Sequence, residues 1–223
     1  MAFTQETRTV VIGGTSGIGS AVADALESRP GEVLRAGRSN GLDVEDPKEV
    51  AVYFTAIGPV DHVVFTAGSQ APGGLVSGLD LEAAKTAFDT KFWGAVAVAQ
   101  AAAKHVRPGG TITFTSGFLA RRTVPGTFVK TTMNAALEAG AKVLAKELAP
   151  VRVNVVSPGL TDTSAYAAMD PAARTAMLNK AAETLPAGRF ARPADVAAAY
   201  LLLIDNPSMT GAVIDVDGGA LIN

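Results

Sequence analysis

Six short runs rich in valine, isoleucine and threonine recur along the chain, and alanine-rich stretches with helical spacing separate them. Strands that are apolar throughout are typical of a sheet that helices cover on both faces. This alternation predicts an α/β fold with a doubly wound parallel sheet and right-handed crossovers. The runs are RTVVIGG, EVLRAG, DHVVFTAG, GTITFTSG, VRVNVVSPG and AVIDVDGG, and the predicted helices cover residues 17–28, 82–105, 128–149 and 193–204.

The length and regularity of the chain predict one domain over residues 1–223, since compact α/β domains commonly reach about 200–250 residues. Ligands in such a sheet bind beyond the carboxyl ends of the strands. The least regular stretch, residues 160–187, follows the fifth predicted strand. We expect it to form a helical flap over that same edge.

Composition excludes several classes of site and partner. The formal net charge is −2 without any cluster of lysine and arginine, which argues against nucleic acid or a membrane surface as a partner. The chain has no cysteine, and its two histidines, His62 and His105, are too distant in sequence to predict a metal site. The N-terminus lacks the pattern of a signal peptide, and no apolar run approaches the roughly 18–20 residues of a membrane span. We therefore expect a cytoplasmic protein with a small-molecule substrate.

The segment VVIGGTSGIG carries the clearest motif, because Gly13, Gly17 and Gly19 punctuate a predicted turn from a strand into a helix. Glycine lets the backbone turn tightly and approach a pyrophosphate, whose charge is stabilised by the free N–H groups at the start of the helix. A glycine-rich turn alone is weak evidence, since ordinary tight turns have the same composition.

Several further segments make the chain similar, over nearly its whole length, to the short-chain dehydrogenase/reductase family, whose fold is Rossmann-like. The turn at residues 12–19 resembles the family's Thr-Gly-x-x-x-Gly-x-Gly, LDVED its Asp-Val segment, FTAG its Asn-Asn-Ala-Gly, and NVVSPGLTDT its Pro-Gly-x-x-x-Thr. The last helix and strand also resemble those of the family. The resemblance implies a nicotinamide cofactor bound by Gly13, Thr15, Ser16, Gly17, Ile18, Gly19, Asp43, Val44, Ala67, Gly68, Pro158, Gly159, Thr161 and Thr163.

The end of the second predicted strand favours NADP(H) over NAD(H). NAD-binding members place an acid there to bind the ribose hydroxyls, whereas this chain has Arg38 and Ser39. An arginine can bind a 2′-phosphate through two hydrogen bonds, which an acid would repel. The alternative is that Arg38 is a solvated loop charge, and Asp43 lies too far along the chain to be assigned as the ribose acid.

The catalytic set departs from the family. The resemblance implies a serine, a tyrosine, a lysine four residues later and an asparagine on the preceding helix. Ser116 takes the serine position, but Lys130 stands at the tyrosine position, Asn134 at the lysine position and Lys91 at the asparagine position. A shift of two residues gives Phe128 and Thr132 instead, and the three tyrosines, Tyr53, Tyr166 and Tyr200, lie elsewhere in the sequence. Lysine and asparagine are thus exchanged between two helices.

These residues suggest a rebuilt catalytic set for carbonyl or imine reduction by NADPH. Ser116 would orient the substrate and Lys130 would supply a proton, because neighbouring positive charges bring a lysine pKa towards working pH. Lys91 and Asn134 would hold the cofactor ribose and a water. Tyr166, in the flap, is an alternative proton donor, and both lysines could instead be solvated helix charges.

Two other functions remain compatible with the sequence. The protein could be a binding module that keeps NADP(H) and has lost hydride transfer, as a sensor or partner subunit. It could also be a non-redox lyase or isomerase that uses the two lysines on an acidic substrate. In the family, the helix that carries Lys91 often packs against another subunit, so the resemblance implies a homodimer or homotetramer.

Overall fold

The computed structural model describes residues 3–68 and 70–223, and these contain a parallel sheet of six strands. The spatial order is β2-β1-β3-β4-β5-β6, with every neighbouring pair parallel. The predicted doubly wound α/β fold is therefore confirmed. The strands are β1 (Arg8–Ile12), β2 (Glu32–Ala36), β3 (Val60–Phe65), β4 (Val106–Thr115), β5 (Arg152–Pro158) and β6 (Val213–Val216).

Seven α-helices connect these strands in the described part of the chain. They cover both faces of the sheet, as a parallel sheet of apolar strands requires. The helices are α1 (Gly17–Glu27), α2 (Pro47–Ile57), α3 (Leu81–Phe88), α4 (Gly94–Ala102), α5 (Phe128–Glu147), α6 (Pro171–Thr184) and α7 (Pro193–Asp205).

Each face of the sheet buries its own apolar cluster. On one face, Phe54 of α2 and Leu137 of α5 share a cluster with Phe114 of β4. On the other face, Val22 of α1 and Tyr200 of α7 pack in a second cluster with strand residues. The two clusters fix the helices against the sheet by removing apolar surface from water, at about 25 cal/mol for each Å².

Two elements differ from the sequence-based expectation. Helix α2 was not expected; Pro47 is in its first turn, and Asp46 caps it by accepting a hydrogen bond from the Lys48 amide at 2.8 Å. The helix expected over residues 82–105 is interrupted, because a π-helical turn, Asp89–Trp93, separates α3 from α4. Such turns are frequent at functional sites, and this one contains Lys91.

Buried polar groups of the fold find local partners. His62 of β3 is buried, which lowers its pKa to about 4, and its Nδ1 lies 3.0 Å from the Thr111 hydroxyl. No group of three metal-ligating side chains occurs in residues 3–68 and 70–223. Within the same ranges, no helix has the length and apolarity that crossing a bilayer requires.

Candidate active site

The glycine turn between β1 and α1 places backbone atoms unusually close together. A Cβ atom at Gly19 would lie 2.2 Å from the Gly13 carbonyl oxygen, and one at Gly13 would lie 2.6 Å from the Thr66 hydroxyl. Gly13 and Gly17 have φ values of +82° and +54°, which side-chain-bearing residues rarely adopt. Only glycine fits these three positions. The glycines of the motif are therefore needed for α1, β1 and β3 to approach one another this closely.

The first turn of α1 presents free backbone N–H groups. Ser16 precedes the helix, and its side chain makes no capping hydrogen bond to it. A cleft of about 530 Å³ opens there between the start of α1 and the segment after β5. Its lining includes Ser16, Gly17, Thr163 and Arg174, and also Asp24 and Asp162, whose carboxylates pair with Arg35 and Arg174. These amides and the positive end of the helix dipole suit a bound phosphate group.

Arg38 lies exposed just after β2, and no carboxylate among the described residues pairs with it. Its neighbour Ser39 donates a hydrogen bond to the Thr15 hydroxyl at 3.2 Å, which joins the end of β2 to the glycine turn. Arg35, by contrast, is bound by Glu27 and Asp24, whose hydrogen bonds raise its pKa. Arg38 is therefore the strand-end arginine that remains available for an anion.

The other residues predicted to hold a cofactor line the same edge in different ways. Asp43 is half-buried, and its carboxylate accepts a hydrogen bond from the Glu45 amide at 3.0 Å. The Val44 side chain belongs to the core, so only its backbone could contact a ligand. Ala67 and Gly68 follow β3, and Ile18 lies half-buried in the first turn of α1.

The segment after β5 folds back towards the glycine turn. Pro158 ends β5, and Thr161 donates to the Gly159 carbonyl at 3.1 Å. A Cβ atom on Gly17 would lie 3.6 Å from that of Thr163, so the two segments are adjacent. Arg174 of α6 forms an ion pair with Asp162 that ties the helix to this edge. The segment expected as a flap thus contains a 3-10 turn and α6.

Lys91 and Ser116 meet at the carboxyl end of β4. The Lys91 ammonium donates a hydrogen bond to the Ser116 carbonyl oxygen at 3.0 Å. Burial of the ammonium, and then repulsion from Lys130, lower the pKa of Lys91 to about 8. The structure thus brings the two predicted lysines close enough to interact electrostatically.

The other predicted catalytic residues differ in exposure. Lys130 is exposed in the first turn of α5, whereas Asn134, one turn later, is only 5% exposed. The Asn134 Oδ1 atom has no hydrogen-bond partner among the described residues. Tyr166 is half-buried in the 3-10 turn after β5, and burial raises its pKa. Unlike Lys91, which binds the serine backbone directly, Tyr166 lies in a segment that follows a different strand.

Glu138 is a site residue that sequence reasoning missed. Its carboxylate accepts a hydrogen bond from the Ser116 hydroxyl at 2.7 Å, although the residues are 22 positions apart. Its second oxygen lies 3.1 Å from Arg121 Nε. One signal was available, because Lys130, Asn134 and Glu138 recur every four residues on α5 and so share a helix face.

The arrangement fits a dinucleotide whose two ends differ. The glycine turn and the start of α1 suit a diphosphate, Arg38 suits an additional anion, and the unpartnered Asn134 amide oxygen suits a hydroxyl donor. Lys91 and Ser116 lie on the same carboxyl edge at β4, two strands from β1.

Lys91→Met tests the cost of the desolvated ammonium. The pKa of Lys91 is about 8 in the folded protein and ordinarily 10.5. In the unfolded chain, the Lys91 ammonium therefore keeps its proton to a higher pH. The contribution of Lys91 to the free energy of unfolding therefore rises between pH 8 and 10.5. Between pH 7 and 9.5, we expect the free energy of unfolding of wild type to rise by about 2 kcal/mol relative to Lys91→Met. Urea titrations at both pH values measure this difference, with the exposed Lys146→Met as control; parallel pH dependence of all three proteins would contradict it.

Comparisons with known proteins agree with this geometry. Residues 38–220 match the family model described as enoyl-(acyl carrier protein) reductase. The chain is 32% identical to short-chain dehydrogenase/reductase ATR9 of Stachybotrys chlorohalonatus, with 96% of each chain covered. It is also 32% identical to carbonyl reductase family member 4 of Danio rerio, over 94% of this chain and 96% of that relative.

Solved structures extend the likeness to the whole fold. One described as a small-chain dehydrogenase in complex with NADPH has a TM-score of 0.96 and 53% identity, covering 98% of this chain and 100% of its own. A second, described as a small-chain dehydrogenase, has a TM-score of 0.91 and 51% identity over the same shares. With a matching family model, relatives that align along most of the chain and a shared fold, this protein belongs to the short-chain dehydrogenase/reductase family of oxidoreductases.

Proposed function

We propose that the protein is an NADP(H)-dependent oxidoreductase that transfers a hydride to or from a small carbonyl, alcohol or imine substrate. The observation that carries the cofactor choice is the exposed Arg38, free of any carboxylate partner in the described residues, beside the Thr15–Ser39 contact. A guanidinium there can bind a 2′-phosphate through two hydrogen bonds. Support also comes from the 53% identical structure that is described in complex with NADPH.

Each part of the cofactor has candidate partners in this chain. The glycine turn and the start of α1 would hold the diphosphate, Arg38 and Ser39 the 2′-phosphate, and Asn134 a ribose hydroxyl. Asp43, Ala67, Pro158 and Thr163 are proposed to border the remaining groups, as the resemblance implies. When bound, a reduced nicotinamide would supply a hydride.

The proton is proposed to come from the lysine pair. Lys130 is exposed on α5 and can exchange protons with water, while Lys91 is held on the Ser116 carbonyl with its pKa near 8. Lys130 is proposed to donate to the reacting group and Ser116 to contact it, while Lys91 stays on the Ser116 carbonyl.

The segment at residues 160–187 is proposed to cover the substrate within a single domain of residues 1–223. Its first part lies against the glycine turn, and the Arg174–Asp162 ion pair attaches α6 to it. Because α6 buries only Leu178 below a tenth of its surface, the helix is weakly anchored and could change position at modest cost.

Self-association is proposed on the face formed by α4 and α5. Trp93 and Val143 are exposed there, at 57% and 54%, beside an apolar cavity of about 270 Å³ lined by residues such as Phe92 and Leu144. Exposed apolar surface of this kind marks interaction sites.

We expect light scattering to give a dimer or tetramer of the 22.7 kDa chain; a monomeric mass at micromolar concentration would contradict this.

Arg38→Ala tests the cofactor preference. Loss of the guanidinium should weaken NADPH binding about 10- to 100-fold, because one charge-assisted, two-fold interaction disappears. Binding of NADH, which has no 2′-phosphate, should change less than twofold. Fluorescence titration of both nucleotides gives the two constants, and Arg29→Ala, at the far end of α1, serves as control. Equal weakening of NADPH and NADH would contradict the assignment.

Lys130→Ala tests the proton donor. Oxidation of NADPH with a substrate that wild type reduces should fall about 100-fold or more, as expected when a general acid is removed. The dissociation constant of NADPH should stay within a factor of about three. Lys142→Ala, an exposed lysine on the same helix, is the matched control. Full activity of Lys130→Ala would exclude Lys130 as the donor and direct attention to Lys91 or Tyr166.

A broader experiment tests the proposed function as a whole. The protein is titrated with NADPH and NADH, and NADPH oxidation is then measured with a panel of aldehydes, ketones and cyclic imines. Turnover of any of them with NADPH supports the proposal. Tight binding of NADPH without turnover would instead favour a sensor or partner subunit, for which the missing tyrosine is the motivating observation. Failure to bind either nucleotide would exclude both of these functions.

A further inference from the structure

The Ser116 hydroxyl is already engaged by a buried carboxylate. Ser116 and Glu138 are 3% and 8% exposed, and the Ser116 Oγ donates to Glu138 Oε1 at 2.7 Å. Arg121 Nε lies 3.1 Å from the other Glu138 oxygen, and Arg121 also donates to Asp215. Glu138 thus faces Arg121 through one oxygen and Ser116 through the other, and a carboxylate can only accept hydrogen bonds.

The number of hydrogens on a serine then decides what Ser116 can offer to a ligand. A hydroxyl has one hydrogen to donate and two lone pairs that accept. Since the hydrogen of Ser116 points to Glu138, only lone pairs remain for a third group. A carbonyl oxygen is also only an acceptor, so a ketone beside Ser116 would place two acceptors together.

We infer that Glu138 is a positioning residue that holds Ser116 as a hydrogen-bond acceptor, so that the site favours a protonated imine over a ketone or aldehyde. This inference rests on the proposed function and on the contact between Ser116 and the reacting group. A protonated imine carries the N–H that the free lone pair of Ser116 requires. Burial of Ser116 strengthens the preference, because an unpaired polar group removed from water is costly.

The same preference accounts for a catalytic set without a phenol. The imine nitrogen takes a proton from a lysine ammonium, which becomes a neutral amine, so the net charge of the site is unchanged. A bound reduced nicotinamide would supply the hydride that the imine carbon then receives, which would leave the cofactor in its oxidised form. The electron pair of the carbon–nitrogen π bond stays on nitrogen as its lone pair, so the product is a neutral amine and no acid is needed during hydride transfer.

Glu138→Gln tests the inference with a substrate pair of similar shape, 2-methyl-1-pyrroline and 2-methylcyclopentanone. The glutamine amide can donate to Ser116 Oγ, which frees the serine hydrogen for a carbonyl. We expect the ratio of kcat/KM for the imine to that for the ketone to fall about tenfold or more, as for one charge-assisted hydrogen bond. Both substrates meet the same folded fraction of enzyme, so the ratio is unaffected by partial unfolding.

Two further variants separate positioning from a general structural role. Glu147→Gln makes the same substitution at an exposed position on α5 and should leave the ratio unchanged. Ser116→Ala should lower the ratio by itself, and Glu138→Gln should then have no further effect, because it acts through the serine. If Glu138→Gln does not fold, Ser116→Ala alone still tests the inference. An unchanged ratio in Ser116→Ala would overturn it.

A binding measurement gives the same comparison without turnover. Pyrrolidine, an N–H donor, and cyclopentanone are titrated calorimetrically into wild type and Glu138→Gln in the presence of NADP⁺. We expect the variant to lose affinity for pyrrolidine and not for cyclopentanone. Equal changes for the two ligands would overturn the inference. If wild type and Glu138→Gln both reduce the ketone and have the same ratio of kcat/KM values, only this inference is overturned. If wild type reduces neither substrate and binds no nucleotide, the proposed function is overturned as well.

Discussion

The close approach of backbone segments at the glycine turn is the constraint on which the rest of the structure depends. Gly13 donates its N–H to the Ala36 carbonyl at 2.7 Å, and the Thr66 amide bonds the Ile12 carbonyl at 2.8 Å, so β1, β2 and β3 are joined at one point. The absence of a side chain at Gly19 lets α1 start directly against this junction. The position of the helix dipole, and hence of the end of the site that is proposed to bind phosphate, follows from that contact.

The opposite end of the site depends on packing between helices and β4. The π-helical turn between α3 and α4 carries Lys91 to the Ser116 carbonyl, and α5 carries Glu138 to the Ser116 hydroxyl. A cation and a carboxylate thus bind the backbone and the side chain of one residue. The serine is held more firmly than a strand-end residue in a loop would be, and its orientation is part of the fold.

Much of the architecture was predictable because it depends on local patterns. Runs of valine and isoleucine predicted all the strands, and spaced glycines predicted the turn into α1. Helix α2 was missed because its run VAVYF is rich in the β-branched and aromatic residues that are typical of strands. The interruption at Asp89–Trp93 contains no glycine or proline that would have indicated it. The role of Glu138 was not predicted because its partner, Ser116, is 22 residues away in the sequence. The lowered pKa of Lys91 was not predictable either, because it arises from burial, which depends on tertiary packing.

Desolvation of Lys91 also changes its reactivity as an amine. With a pKa of about 8, roughly one molecule in ten carries the uncharged, nucleophilic form at pH 7, whereas an ordinary lysine does so in fewer than about one in a thousand. The amine stands beside a strand end in a chain without cysteine, so no thiol competes with it for electrophiles. Because burial lowers the pKa, the uncharged amine faces the packed site and not bulk water, so an electrophile would meet it only when bound beside Ser116.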